Sequence, residues 1–298
     1  MDFKPIEISD KAYFKEALKN RQHEIINYNF SALFMFQKWL PYQWAKVADA
    51  ICIKGEDINF TAFSPPITPS DDNFIKATEE IINWFKETGK PFLMTEVTQL
   101  HLDILTKAFP NRFKIEENRS GANYIYKSSD LAFLKGRKFS AKRNHIHHFF
   151  RDHPNSELVP LTKELIPACL EVMENWYKAK PKHDASMQSE KRCIELALAH
   201  FGQLDYQGAC LMAGGKIAAF TLGEPLNDTT VAILVEKADY SYHGSFAVIN
   251  SLFVQKYWLN YPYINRDEDL GDEGMRTAKQ SYHPYNLNMK YILRLRED

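Results

Sequence analysis

The order of hydrophobic patterns along this chain repeats, and that repeat constrains the fold more than any single motif. In the first half, helical periodicity covers roughly residues 10–20 and 22–38. Two alternating runs follow, AICIKG (50–55) and INFTAF (58–63), joined by a short Gly-Glu-Asp turn that reads as a hairpin. A helix with Phe74, Thr78, Ile81, Ile82 and Phe85 on one face stops at Gly89, before Pro91. FLMTEV (92–97) reads as a strand, Thr98 caps a short helix to Phe109, and NYIYK (123–127) reads as another strand. The second half runs through the same order. Leu165, Cys169, Val172, Met173 and Trp176 share one helical face, and 188–201 forms a second helix. A hairpin turns at Gly214-Gly215, TTVAILVEK (229–237) adds a strand, and a helix spans about 245–258. YPYIN, a helix at 272–280 and the strand NMKYILRL complete the copy. The expected fold is α/β (α+β), with two tandem domains, each a mostly antiparallel mixed sheet flanked by helices. The boundaries are 1–130 and 155–298, joined by a basic segment, 131–154. No sequence identity between the halves is visible, so two unrelated α/β halves are the alternative.

Composition narrows the setting. Lys and Arg number 37 against 38 Asp and Glu, a balance that argues against a general nucleic-acid coat and leaves room for a local basic patch. The 45% apolar share supplies a full core. No apolar run reaches the ~18–20 residues of a membrane span, and the N-terminus has no secretory pattern. Cys52, Cys169, Cys193 and Cys210 lie far apart and read as buried thiols of a reducing compartment, so a cytoplasmic protein without stable membrane insertion is expected. The sequence assigns no oligomeric state.

LAFLKGRKFSAKRNHIHHFF (131–150), the His243-Gly244-Ser245 loop, INRDEDLGDEGMRTAKQSYHP (264–284) and FTAFSPP (60–66) resemble an uncharacterised bacterial family. That family is related to the C-terminal domain of phosphatidylglycerol lysyltransferases. The resemblance covers nearly the whole chain. It implies two tandem domains of the GNAT acyltransferase fold, akin to the Fem peptidyltransferases, and transfer of an acyl or aminoacyl group onto an amine or hydroxyl. A non-catalytic protein of the same fold, binding a nucleotide-bearing metabolite or RNA, is the alternative.

Several segments are suited to such chemistry. VAILVEKADYSYHGSFAVIN leads from a strand into a helix whose start offers free N–H groups to a phosphate, with Gly244 permitting close approach and Ser245 able to cap. A donor's phosphates are therefore expected at the backbone amides of His243, Gly244, Ser245 and Phe246. Of the acetyltransferase loop pattern Gln/Arg-x-x-Gly-x-Gly/Ala, only the central Gly is kept, with Ser241 and Phe246 at the flanking positions. Glu236, late on the preceding strand, stands where GNAT-like enzymes often carry a general base. The stretch from 266 to 273 holds five acids and one base. Asn265, Arg266, Asp267 and Glu268 therefore suit a cationic acceptor, a divalent metal, or ion pairing with the basic segment; no His spacing supports the metal, and none is expected. Arg276 and Lys279, one turn apart with Tyr282 beyond them, suit a phosphate or carboxylate.

The segment 135–151 carries six cations and no acid. As a helix it puts Lys142, His145 and Phe149 on one face. Lys142 and Arg143 can track RNA phosphates or wall a donor's phosphates. One basic segment is enough for a compact phosphate group and thin for a whole tRNA. Coenzyme A or an acyl-CoA is therefore the favoured donor, and aminoacyl-tRNA the alternative.

Overall fold

The computed structural model describes residues 1–19, 23–180 and 185–296. They fall into two compact units, Met1–Asn123 with Glu268–Asp272 and Asn288–Asp298, and Tyr124–Asp267 with Glu273–Leu287. By contact, residues 131–154 are part of the second unit, and two stretches of the C-terminal half return to the first.

The first unit contains β1 (Lys4–Pro5), α1 (Lys11–Leu18), α2 (Phe30–Phe36), β2 (Tyr42–Val47), β3 (Ala50–Glu56), β4 (Thr61–Phe63), α3 (Asp71–Thr88), β5 (Met94–Val97), α4 (Gln99–Ala108) and the opening of β6 (Phe113–Lys127). The second holds the end of β6, then α5 (Ser128–Phe133), α6 (Ser140–Asp152), β7 (Glu157–Pro160), α7 (Ile166–Lys178), α8 (Ala185–Ala199), β8 (Gln207–Ala213), β9 (Lys216–Pro225), β10 (Thr230–Ala238), α9 (Ser245–Phe253), β11 (Tyr263–Asn265) and α10 (Glu273–Gln280). β12 (Asn286–Leu295) runs back into the first unit.

In the first unit the strand order is β1-β2-β3-β4-β5-β12, antiparallel except for the β4–β5 pair. α3 forms because its polar start and apolar stripe agree. Ser70 Oγ accepts from Asn73 N at 3.3 Å, Asp71 and Asp72 occupy the first turn, and Gly89 ends the helix at φ 66°. Its buried face, Phe74, Ile81 and Phe85, packs with Cys52, Phe63, Met94, Leu105 and Leu293. All four cysteines are buried and free, and burial pushes the Cys52 thiol up to about 12.

Three local expectations differ. Residue 22 lies outside the described residues, and from Ile26 to Phe36 the chain forms a short 3-10 turn and then α2 instead of one long helix. The break is Asn29, which is extended (ψ 134°) and caps Ala32 N with its side chain at 2.9 Å. The strand expected from residue 58 begins at Thr61, because Asp57 Oδ1 accepts from both Asn59 N and Phe60 N and curls the loop, leaving Ile58 fully exposed. β2 was not expected; it pairs with β3 through Ala48 and Asp49, both at positive φ without a glycine.

In the second unit the order is β7-β8-β9-β10-β11 followed by the end of β6, antiparallel except for the β10–β11 pair. The expected β8–β9 hairpin turns at Gly214 and Gly215, with φ 58° and 76°. Two features of β10 position the site. Its register with β9 slips between Ile233 and Val235, and its parallel pairing with β11 ends at Ala232↔Asn265. Beyond that point the two strands are bridged by side chains. α9 packs Val248 and Ile249 into one apolar cluster and Phe253 into another.

Candidate functional site

The corner between β10 and α9 brings several polar side chains of the second unit together. Ser241 donates to Asp239 Oδ1 through its N–H at 2.8 Å and its hydroxyl at 2.7 Å, bending the chain toward Gly244. Gly244 sits at φ 88°, and no side chain caps the helix it starts. A Cβ at this position would lie 2.3 Å from the backbone oxygen of His145, so only glycine lets α6 come this close to the start of α9. α6 is the basic segment, helical as expected, and the contact brings Lys142 and His145 beside His243.

These residues enclose a pocket of about 250 Å³ lined by Lys142, His145, Tyr240, Tyr242, His243, Gly244, Ser245, Phe246, Ala247 and Tyr282. His145 Nδ1 and His243 Nε2 stand 3.2 Å apart. Burial, then His243 and Lys142, hold His145 below the ordinary histidine value. Lys142 is half-buried with its Nζ 4.1 Å from the Tyr282 ring centroid, and burial, then Arg266, lowers its pKa. The pocket therefore combines aromatic faces, an ammonium, two imidazoles and a helix N-terminus, a set suited to a nucleotide with its phosphate.

Behind Tyr282 lies a charged pair. Arg266, the residue after β11, reaches across to Glu236 on β10, with Nη2 donating to Oε1 at 2.8 Å. The other oxygen, Oε2, accepts from Asn250 Nδ2 of α9 at 3.0 Å. Burial works against the Arg266 charge, yet Glu236 and the tyrosines Tyr282 and Tyr126 hold its pKa above the ordinary value. Burial pushes Tyr282 up to about 12, so its hydroxyl stays protonated. Both oxygens of Glu236 are thus engaged, one by Arg266 and one by Asn250.

The sequence-chosen residues separate into three groups. Lys142, His243, Gly244, Ser245, Phe246 and Tyr282 meet at the pocket, and Glu236 and Arg266 meet beside it. Asn265, Lys279 and Asp267 shape the approach to Arg266. Asn265 Oδ1 accepts from Asp267 N at 2.8 Å, and Lys279 Nζ donates to the Arg266 carbonyl at 2.6 Å. Arg143, Arg276 and Glu268 do not line the pocket. Arg143 Nη1 donates to the carbonyls of Leu134 and Gly136, Arg276 is half-buried on α10, and Glu268 pairs with the fully buried Lys290 of the first unit at 2.8 Å. Sequence reasoning missed Tyr240, Tyr242 and Asn250. Asn250 is the one polar residue in the first six positions of α9 after Ser245, and that was its only signal. Among the described residues no group of three or more His, Cys, Asp or Glu side chains can hold a metal ion, and no helix is long and apolar enough to cross a membrane.

Comparison with known proteins is consistent across sequence and fold. Residues 19–294 match the family described as phosphatidylglycerol lysyltransferase, C-terminal. A crystal structure of a conserved protein of unknown function from Bacteroides thetaiotaomicron is 34% identical, covers 99% of this chain and 100% of that one, and superposes with a TM-score of 0.93. The C-terminal domain of a putative lysylphosphatidylglycerol synthetase from Agrobacterium fabrum is 13% identical, covers 97% of this chain and 92% of that one, and has a TM-score of 0.69, a likeness of fold. An uncharacterised protein of Mycoplasmoides gallisepticum is 21% identical over 178 residues, which is 60% of this chain and 58% of that protein's length.

Proposed function

Because the chain belongs to the family of the phosphatidylglycerol lysyltransferase C-terminal domain, we propose that it is an aminoacyltransferase, moving an aminoacyl group from the 3′ end of a tRNA onto a hydroxyl or amine acceptor. The acceptor oxygen or nitrogen attacks the ester carbonyl and the bond from that carbonyl to the ribose oxygen breaks. The proton lost by the acceptor ends on the ribose oxygen. The family includes proteins named for lysyl transfer to phosphatidylglycerol, and the acceptor class follows from that resemblance.

The observation that carries this reading is the Arg266–Glu236 bridge beside the pocket. A thioester arm of coenzyme A needs an extended groove along β10 beyond Ala232, where the pairing with β11 ends. Arg266, Glu236 and Tyr282 stand there, half-buried or buried. An aminoacyl ester is compact and needs no such groove. In this reading the terminal nucleotide occupies the 250 Å³ pocket, its phosphate facing Lys142 and the N-terminus of α9, with Tyr240 and Phe246 against the base. Glu236, expected from the sequence as the base, holds Arg266 at the reacting end in this reading. Rate comes from placing the two substrates and from donors directed at the carbonyl oxygen.

The test is to titrate the full chain with bulk tRNA and with coenzyme A at low and moderate salt, and to follow loss of label from a charged tRNA pool. Micromolar tRNA binding that falls steeply with salt, with label released when a hydroxyl or amine acceptor is added, is the expected result. Tight coenzyme A binding that displaces tRNA contradicts the reading and favours the acyl-CoA donor.

A further inference from the structure

We propose that the first unit carries a binding site of its own, at the end of α4, for a monocarboxylate with an aromatic body. Every residue of the site belongs to that unit. The proposal is independent of the transferase reading, which uses residues of the second unit.

The chain leaves α4 at Phe109 and passes through Pro110 and Asn111 into β6, and a cavity of about 230 Å³ opens beside this turn. Asn111 makes the turn at a left-handed φ of 58°. Phe109, Pro110, Phe113 and Ile115 supply apolar walls. Phe113 and Ile115 are two apart on a strand and share a face. Phe113 is buried against Phe92, with ring centroids 5.6 Å apart, whereas Ile115 is left 42% exposed. The one charged residue on the lining is Arg296, just past the end of β12. Its backbone N–H donates to the Arg112 carbonyl and its Nε to the Phe113 carbonyl, each at 3.1 Å. These bonds tie both ends of Arg296 to the start of β6. No carboxylate among the described residues pairs with its terminal nitrogens.

The chemistry of the lining selects the ligand. An arginine held through Nε keeps Nη1 and Nη2, a planar fork that takes both oxygens of one carboxylate. One guanidinium, with no second cation on the lining, matches a single negative charge and so favours a carboxylate over a phosphate dianion. The Thr106 hydroxyl donates to the Leu102 carbonyl at 2.8 Å and has no proton left for an anion, so the charge is read at Arg296. Size and shape set the rest. An apolar cavity of roughly 150 Å³ accommodates benzene, so this one has room for a single ring on a short tether. The Phe109 and Phe113 rings stand edge to face, centroids 5.8 Å apart, and offer a third ring both a face and an edge. The ligand class is therefore an arylalkyl monocarboxylate of the size of 3-phenylpropionate, its ring against Phe109, Phe113 and Ile115 and its carboxylate on Arg296.

The experiment titrates the full chain with 3-phenylpropionate, followed by calorimetry and by the methyl resonance of Ile115. The expected result is saturable binding with a Kd of about 1 mM or tighter, accompanied by a shift of that methyl. The neutral 3-phenylpropionamide, which keeps the shape and loses the charge, should bind at least about fivefold more weakly. Acetate, which keeps the charge and loses the ring, should bind at least about tenfold more weakly. Arg296→Gln should bring the acid down to the level of the amide. Arg294→Gln, on β12 but off the lining, should leave it within about twofold. Both arginines are exposed, so neither substitution touches the core. Equal binding of acid and amide overturns the proposal. So does an equal loss in the two variants, which would mean general charge attraction, or no saturable binding up to about 20 mM acid. None of these outcomes bears on tRNA binding, so this proposal and the transferase reading fail separately.

Discussion

Both units lead from a strand through a loop into a helix that caps a sheet, and the two helix starts are built in opposite ways. In the first unit α3 begins with Ser70 capping its own backbone and with Asp71 and Asp72 in the first turn. Its positive end is already neutralised by its own side chains. In the second unit α9 begins at Gly244 with no side-chain cap and no acid in its first turn, and Lys142, His145 and His243 stand around it. The same order of elements gives a closed helix start in one unit and one suited to an anion in the other. A repeated architecture therefore does not imply a repeated site; the residues at the first turn decide.

The largest effect expected from breaking this contrast is at glycine. Gly244→Ala sets a Cβ against the His145 carbonyl at a left-handed φ and should cost about 3 kcal/mol or more. Gly89→Ala ends α3 at a similar φ with nothing within 4 Å and should cost about 1 kcal/mol. Chemical denaturation of the two variants measures the difference, and equal losses would remove the close approach of α6 from the account. Next in size is the conversion of one helix start into the other. Phe246→Asp gives α9 a first-turn acid and should lower tRNA affinity roughly 30-fold, about 2 kcal/mol, by filter binding at fixed salt.

A smaller effect is expected from pH. His145 in the free protein has a pKa held below the ordinary value by burial and by the neighbouring His243 and Lys142. A bound phosphate adds a negative charge and raises that pKa, so binding takes up a proton and strengthens as pH falls. Between about pH 7.5 and 5.5 tRNA affinity should rise by up to roughly tenfold, and His145→Gln should flatten the profile. A slope of the opposite sign would place the anion elsewhere. Smallest of all, Asp71→Asn with Asp72→Asn should cost the protein about 0.5–1 kcal/mol of stability and confer no tRNA binding on the first unit, read by denaturation and the same binding assay.

The contrast also shows what a sequence exposes. The strand hairpins, the apolar stripe of α3 and the Gly214-Gly215 turn were legible because local periodicity and turn chemistry agree with the final fold. β2 was hidden by a turn at Ala48-Asp49 that adopts positive φ without glycine. The charged first part of β6 was hidden because its Glu116, Glu117 and neighbours are exposed and lack alternation. At the site, Gly244, Glu236 and the basic helix announced themselves by residue type. Their assembly did not. The approach of His145 to Gly244, the bridge from Arg266 to Glu236 and the turning of Asn250 toward that carboxylate depend on tertiary packing between segments far apart in sequence.

The account's central claim is that the uncapped start of α9 holds the terminal nucleotide of a tRNA donor. The most direct measurement is the affinity of a short acceptor-stem RNA ending in a stable aminoacyl amide, for the wild type and for Phe246→Asp and Lys142→Ala. The account predicts micromolar binding by the wild type, weakened at least about tenfold by either substitution and unaffected by added coenzyme A. Binding that is indifferent to both substitutions, or that coenzyme A abolishes, would contradict it.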